Sequence, residues 1–409
     1  MNFDEIIDRR GTGAEKWEMV HREEGKRAVI PLWVADMDFP APAELTEALV
    51  RRAAHPVYGY TRVSEGFFEA LAGWYRRRHA LDLDRRHFLT GPGTVASLGI
   101  AVRSFTEPGQ GVLIPTPVYK PAYNMIRFNG REPVEAPLTL NGEGRYCFGP
   151  PGPAPVTQAL ERALSAAADR GIKTVMAVLC SPHNPGGSVW DAEELEAFLA
   201  FARQHHMVVI SDEIHSDFVF PPKRFVSVTA FPGYADMTAA VSAANKTFNL
   251  GGLHLSYFMA RDEKLAGILK RGLRASGCDT PNLFALTAAE TVFRCGGSWL
   301  DELKPYIRLN IEKGVRFLNC IPGVKGFAPE GTYLIWADVS GLAAGGKFRD
   351  DMELTAALER EGRVKFTPGS YFGAGGKGFI RINAACPRSQ LMEGLTRFKD
   401  WAARFCSAG

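Results

Sequence analysis

Lys173-Thr174-Val175-Met176-Ala177-Val178-Leu179, Asp191-Ala192-Glu193-Glu194-Leu195 and Met207-Val208-Val209-Ile210-Ser211-Asp212 together form the stretch from which the fold is read. The apolar run Thr174 to Leu179 has the length of a buried strand. Asp191 and the acids after it mark a capped helix start, and Leu195, Phe198, Leu199 and Ala202 recur on one helical face. Met207 to Ile210 is the next strand. Strand, helix and strand in this order make a crossover unit, which implies a parallel sheet covered on both faces.

Outward from this unit, polar residues appear where the strands end, the side on which open α/β sheets hold ligands. Asp212 closes one strand, and Ser181-Pro182-His183-Asn184-Pro185-Gly186-Gly187 follows the other. Read alone, Asp212 is equally a cap and Asn184 equally part of a plain Asn-Pro-Gly turn. A third apolar run, Met237 to Val241, leads into Ser242-Ala243-Ala244-Asn245-Lys246-Thr247-Phe248-Asn249-Leu250-Gly251-Gly252-Leu253. Read alone, Lys246 is a surface lysine after a strand; the other reading is that an amine leaving a buried strand into a small loop loses hydration, which lowers its pKa and makes it a nucleophile toward an aldehyde. Pyridoxal phosphate is the natural target of such an amine, and a lysine bound to it needs an acid facing the pyridine nitrogen. Asp212 is the candidate acid, and the Asn184 amide is a candidate donor to the ring oxygen.

Three further signals fit this chemistry. Gly91-Pro92-Gly93-Thr94-Val95-Ala96-Ser97-Leu98 opens a segment in which Val95, Leu98, Val102 and Phe105 follow a helical period. Glycines before a helix start suit a phosphate dianion, with the Thr94 hydroxyl as an extra donor; a simple Gly-Pro-Gly turn is the competing reading. Tyr119, after the strand pattern Gly111 to Ile114, either stacks on a ring or fills the core. Arg381, in Gly378-Phe379-Ile380-Arg381-Ile382-Asn383, sits among apolar neighbours where a guanidinium is costly unless it meets a carboxylate. That carboxylate is the substrate's or an internal acid's.

Taken in order, Tyr58-Gly59-Tyr60-Thr61, Gly91-Pro92-Gly93, Pro117-Val118-Tyr119, the Ser181 to Gly187 turn, Ser211-Asp212-Glu213-Ile214-His215, Asn245-Lys246-Thr247-Phe248-Asn249 and Arg381-Ile382-Asn383 resemble the fold-type I pyridoxal phosphate enzymes. Pro31-Leu32-Trp33-Val34-Ala35-Asp36-Met37-Asp38-Phe39-Pro40, Asp212 to His215 and Lys246 to Asn249 narrow the resemblance to the carbon-sulfur β-lyases of the cystathionine β-lyase (MalY/PatB) type. It spans nearly the whole chain. The resemblance implies an α/β, aminotransferase-like fold type I, with a large domain of mostly parallel sheet between helices (46–285) and a smaller α+β domain (286–409) against which residues 1–45 pack.

Position by position, it implies that Lys246 holds pyridoxal 5'-phosphate and serves as acid and base at the substrate's α carbon. Asp212 pairs with the ring nitrogen, Asn184 bonds the ring oxygen, Tyr119 stacks on the ring, and Thr94 and Val95 lie at the phosphate. His215 is a ring contact or simple packing. Arg381 takes the substrate carboxylate, with Ala35, Asn184 and Tyr119 beside it. Tyr60 reaches the phosphate of a neighbouring subunit, which implies a homodimer with shared sites. Asn245 stands where a hydroxyl residue commonly precedes the lysine, and His254 where many aminotransferases carry a basic phosphate partner.

The expected activity is β-elimination from cystathionine, cysteine or related S-substituted cysteines, yielding pyruvate, ammonia and a thiol. Transamination shares its first step, transfer of the α proton to Lys246, and no residue separates the two on physical grounds. A regulatory protein that keeps the cofactor fold is the third reading.

Composition agrees. A chain of 409 residues with 46% hydrophobic content buries a sizeable core in more than one domain. A net charge of +3, from 48 basic against 45 acidic residues, gives no strong basic face, so nucleic acid is not an expected partner. Arg76-Arg77-Arg78-His79, the densest basic run, reads as the solvated end of a helix. Seven scattered cysteines, none at metal-ligand spacing, suit a reducing cytosol. The start lacks the pattern of a secretion signal and no apolar stretch approaches membrane-spanning length, so a cytoplasmic enzyme acting on a small amino-acid substrate is expected. Gly149-Pro150-Pro151-Gly152-Pro153 reads as a surface excursion. Beyond Pro281 a long helical stretch runs to Leu318, then Thr332 to Asp338 and Phe379 to Ile382 read as strands. Val29 to Val34 packs against them, and Trp33 and Met37 line the entrance or fill the core.

Overall fold

Seven strands form the central sheet of the computed structural model, which describes residues 1–149, 158–343 and 346–405. They are β1 (Phe88–Gly91), β2 (Gly111–Thr116), β3 (Glu132–Pro137), β4 (Thr174–Cys180), β5 (Val208–Asp212), β6 (Thr238–Ser242) and β7 (Ser256–Met259). Their spatial order is β1-β7-β6-β5-β4-β2-β3. β2 to β6 pair in parallel, while β7 runs antiparallel to both β1 and β6. Every residue of β2 and of β6 is buried, as expected for strands with helices on both faces rather than one face in water.

The crossover read from the sequence is present. Asp191 and Glu194 cap the helix Ala192–Gln204 reciprocally, and its buried face includes Leu195, Phe198, Leu199 and Ala202. Register carries this regularity to the strand ends, with Cys180 opposite Asp212 and Asp212 opposite Val241.

A second sheet holds β8 (Lys325–Phe327), β9 (Leu334–Asp338), β10 (Thr367–Pro368) and β11 (Phe379–Asn383) in the order β8-β9-β11-β10, all antiparallel. The N-terminal Ile30–Pro31 pairs in parallel with Val364–Lys365 beside it. The stretch from Leu283 to Leu318 is two helices, Leu283–Cys295 and Gly297–Leu318, rather than one. They part at Gly296, where a Cβ would stand 2.5 Å from Phe248 Cε1. The apolar period runs through the break because both helices bury one face, so periodicity alone does not reveal it.

The basic run ending the helix Glu65–His79 also differs from its reading. Arg76 and Arg77 are exposed, but Arg78 bonds Gly297 O and Asp301, and His79 Nε2 lies 2.9 Å from Asp217 Oδ1. The helix end packs inward, and its cations meet partners there. Of the stretch Gly149 to Pro153, residues 150–153 lie outside the described residues. Among the described residues no helix is long and apolar enough to cross a membrane.

Candidate active site

Parallel strands that sit side by side point their C-terminal ends to one edge, and four adjacent strands here deliver four of the candidate residues there. β6 leads to Lys246, β5 ends on Asp212, β4 leads to Asn184 and β2 to Tyr119. β11, in the second sheet, supplies Arg381 from across the cleft.

Lys246 lies in the short helical turn Ala244–Thr247, and its Nζ donates to Ala35 O at 2.6 Å. The turn is pinned on both sides. Thr247 Oγ1 donates to Asp217 Oδ2 at 2.7 Å, and the Asn249 side chain bonds both the N–H and the carbonyl of Met37 at 2.9 Å. The residue as a whole keeps some open surface, yet its amine is deep enough for desolvation to lower the pKa to about 8. Arg381 pushes the same way, and Asp36 and Asp212 oppose it.

Asp212 is 5% exposed and, among the described residues, accepts one hydrogen bond, from Ile214 N–H at 3.2 Å. Burial raises its carboxyl to about 6 against the pull of that N–H and of Lys246. Asn184, also buried, accepts at Oδ1 from Arg381 NH1 at 2.9 Å, which leaves its amide N–H groups to donate elsewhere. Arg381 NH2 donates to Trp33 O at 3.0 Å, while its Nε is buried with no partner among the described residues. Desolvation lowers this guanidinium to about 10, a cation waiting for an anion. No internal acid bonds it among the described residues. The half-buried Tyr119 phenol is raised to about 12 by burial.

The glycine loop after β1 is shaped by close packing. A Cβ on Gly91 would lie 2.4 Å from Ser97 Oγ, and Ser256 Oγ accepts from Gly93 N–H at 3.1 Å. Gly93 adopts φ +104°, a conformation that disfavours side chains, and then Thr94 opens a twelve-residue helix with no side-chain cap. The Thr94 and Val95 N–H groups belong to that uncapped first turn. The exposed His254 borders the loop, its Nδ1 3.9 Å from where a Gly93 Cβ would be.

His215 is buried with neither ring nitrogen bonded among the described residues, and burial holds its pKa well below the ordinary histidine value. Its neutral ring meets Tyr333 edge-on at 5.6 Å. Tyr60 is fully exposed and takes no part in the buried constellation within one chain. Met37 is core. Trp33 is partly open, with Lys365 Nζ 4.6 Å from its ring centre, and contributes to the site through its backbone oxygen. Asn245 is half-buried beside the lysine.

Several residues at the site hold backbone or side-chain positions that no local sequence signal assigns to them. Tyr333 Oη donates to Ala35 O at 3.0 Å, and Asn383 Nδ2 bonds Val34 O and Asp36 O, both at 2.6 Å. An aromatic and an amide in or beside strands look like core. Asp217 is the second acid after Asp212, and its contact to Thr247 depends on the turn of the chain.

These residues fit pyridoxal 5'-phosphate on observations of this structure. A buried carboxyl with a single donor among the described residues suits a cationic ring nitrogen, an uncapped helix start suits a phosphate, and a desolvated amine suits an aldehyde. Comparison with known proteins agrees. Residues 27–398 match the model of the aminotransferase class I and II family, and the chain belongs to that family. Within it, the chain is 37% identical to cystathionine beta-lyase PatB of Bacillus subtilis (strain 168), over 98% of this chain and 99% of PatB. Protein MalY of Escherichia coli (strain K12) is 32% identical over 96% of this chain and 97% of its own. The PLP-bound C-S lyase from Staphylococcus hominis superposes with a TM-score of 0.89 at 27% identity, covering 99% of this chain and 100% of that one.

Proposed function

We propose that this protein is a pyridoxal phosphate-dependent carbon-sulfur β-lyase that cleaves cystathionine, cysteine or related S-substituted cysteines to pyruvate, ammonia and a thiol. The observation that carries the reading is the meeting of Lys246, Asp212 and Asn184 at one sheet edge with Arg381 from the second sheet, in a chain that matches PatB over 98% of its length.

When bound, pyridoxal phosphate supplies an electron sink for negative charge developing at the substrate's α carbon. The chain's own groups do the rest. Arg381 takes the α-carboxylate with the guanidinium face that lacks a partner, orienting the substrate. Lys246, with its lowered pKa, is neutral over much of the accessible range above pH 8 and moves the proton at the α carbon. Asp212 would pair with the ring nitrogen, and a positive charge there would favour its anionic form. The Asn184 amide would donate to the ring oxygen, Tyr119 would stack on the ring, and Thr94 and Val95 would hold the phosphate. Ala35 and the rest of the 33–37 backbone line the substrate side.

Residues 46–285 serve as the cofactor-holding unit, while 286–409 with 1–45 form the part that closes on substrate. Tyr60, exposed on its own chain, completes the phosphate site of a second copy, giving a cytoplasmic homodimer. The test is incubation of the holoenzyme with L-cystathionine and no added keto acid. Continued pyruvate release over many turnovers supports the lyase; a single turnover followed by arrest identifies an aminotransferase instead.

A further inference from the structure

Next to Tyr119 stands a cation that no acid neutralises among the described residues. Lys120 follows Tyr119 and is the first residue of the helix Lys120–Phe128, the end at which a positive charge is disfavoured by the helix dipole. Among the described residues its Nζ has no carboxylate partner. It lies between two aromatic rings, 5.9 Å from the centre of Tyr123 and 5.7 Å from that of Tyr371. Both Lys120 and Tyr123 are half-buried, and Tyr371 is 41% exposed, so the pair of rings keeps open surface.

This rim is one step from the Arg381 guanidinium. Phe372, next to Tyr371, places its ring 4.8 Å from Arg381 Cζ, and its carbonyl accepts from Val118 N–H at 2.9 Å. Tyr371 and Lys120 are thus the chain neighbours of Phe372 and Tyr119, the two aromatic residues nearest the Arg381 guanidinium on this side. A negative group waits at the far end of Tyr123, whose hydroxyl donates to Glu135 Oε1 at 3.0 Å. Glu135 Oε2 accepts from Ala374 N–H at 3.4 Å, which ties the loop carrying Tyr371 to the same wall. A carboxylate keeps lone pairs for a further donor after these bonds.

Resting on the lyase reading, we propose that Lys120 and Glu135, framed by Tyr123 and Tyr371, form a distal subsite for the carboxylate and ammonium of an amino-acid leaving group. The preferred substrates are then cysteine S-conjugates whose thiol fragment is itself an amino acid, as in cystathionine, over cysteine or S-alkyl cysteines. The test compares kcat/KM for pyruvate release from L-cystathionine and from S-ethyl-L-cysteine in the wild-type holoenzyme, Lys120→Met and Lys120→Arg. The cystathionine to S-ethylcysteine ratio falls about tenfold or more in Lys120→Met, the loss of one charge-assisted contact, and largely returns in Lys120→Arg. Lys120→Gln gives the same comparison should methionine disturb the helix start. A role limited to packing lowers both substrates together, so a ratio that stays within about twofold of wild type overturns the subsite. Wild-type protein that releases pyruvate from neither compound overturns the lyase reading itself, a result distinct from a flat ratio.

Discussion

Burial moves the two central ionisable groups toward each other, lowering Lys246 to about 8 and raising Asp212 to about 6. Only the neutral amine attacks an aldehyde, so capture of pyridoxal phosphate by the apoprotein, followed by its visible absorbance, accelerates as pH rises through about 8. Asp36 favours the ammonium, and Asp36→Asn shifts that midpoint to lower pH; a midpoint that stays put or moves up contradicts the role given to Asp36. Asp212→Asn keeps the shape but not the charge opposite the ring nitrogen, and kcat is expected to fall about a hundredfold or more, measured at saturating substrate. These residues were legible because each is a polar group where an apolar run stops. Ala35 was legible only through resemblance, since its contribution is a carbonyl oxygen, which every residue possesses.

At the scale of elements, the segment Trp33 to Met37 is a strap whose carbonyls are each taken by a side chain. Arg381 bonds Trp33 O, Asn383 bonds Val34 O, Lys246 and Tyr333 bond Ala35 O, and Lys16 bonds Asp36 O at 3.1 Å. Arg9 and Asn249 share Met37 O. Lys16, with no exposed surface, also meets Asp38 Oδ2 at 2.7 Å, and Arg9 bridges Asp36 and Asp38 at 2.8 Å. Removing one partner strands a buried charge, so Lys16→Met is expected to cost about 3–5 kcal/mol in urea unfolding. A loss below about 1 kcal/mol, the range of exposed pairs, contradicts a buried lattice at this strap. The strap was legible as a motif of the resemblance, but its bonding was not, because that lies in backbone oxygens held by residues from Arg9 to Asn383. The strands and the capped helix Ala192–Gln204 were legible, since their apolar periods and the Asp191 to Glu194 box are local signals.

For the whole molecule, the site joins residues from Ala35 to Arg381, and neither sheet alone contains it. The order of motifs along the chain made that assembly readable as a family resemblance, whereas the break at Gly296 and the inward-packed His79 depend on packing that no local pattern states. If Tyr60 serves a second copy, mixing Tyr60→Ala with Lys246→Ala subunits regenerates one intact site per mixed dimer. Random exchange then restores about a quarter of wild-type activity from two inactive preparations, and no recovery after verified exchange contradicts shared sites. The most direct measurement of the chemistry is borohydride reduction of the holoenzyme, followed by peptide mapping of the fixed cofactor. The label is expected on the peptide containing Lys246, and to be absent from Lys246→Ala; a label on any other lysine would contradict the site described.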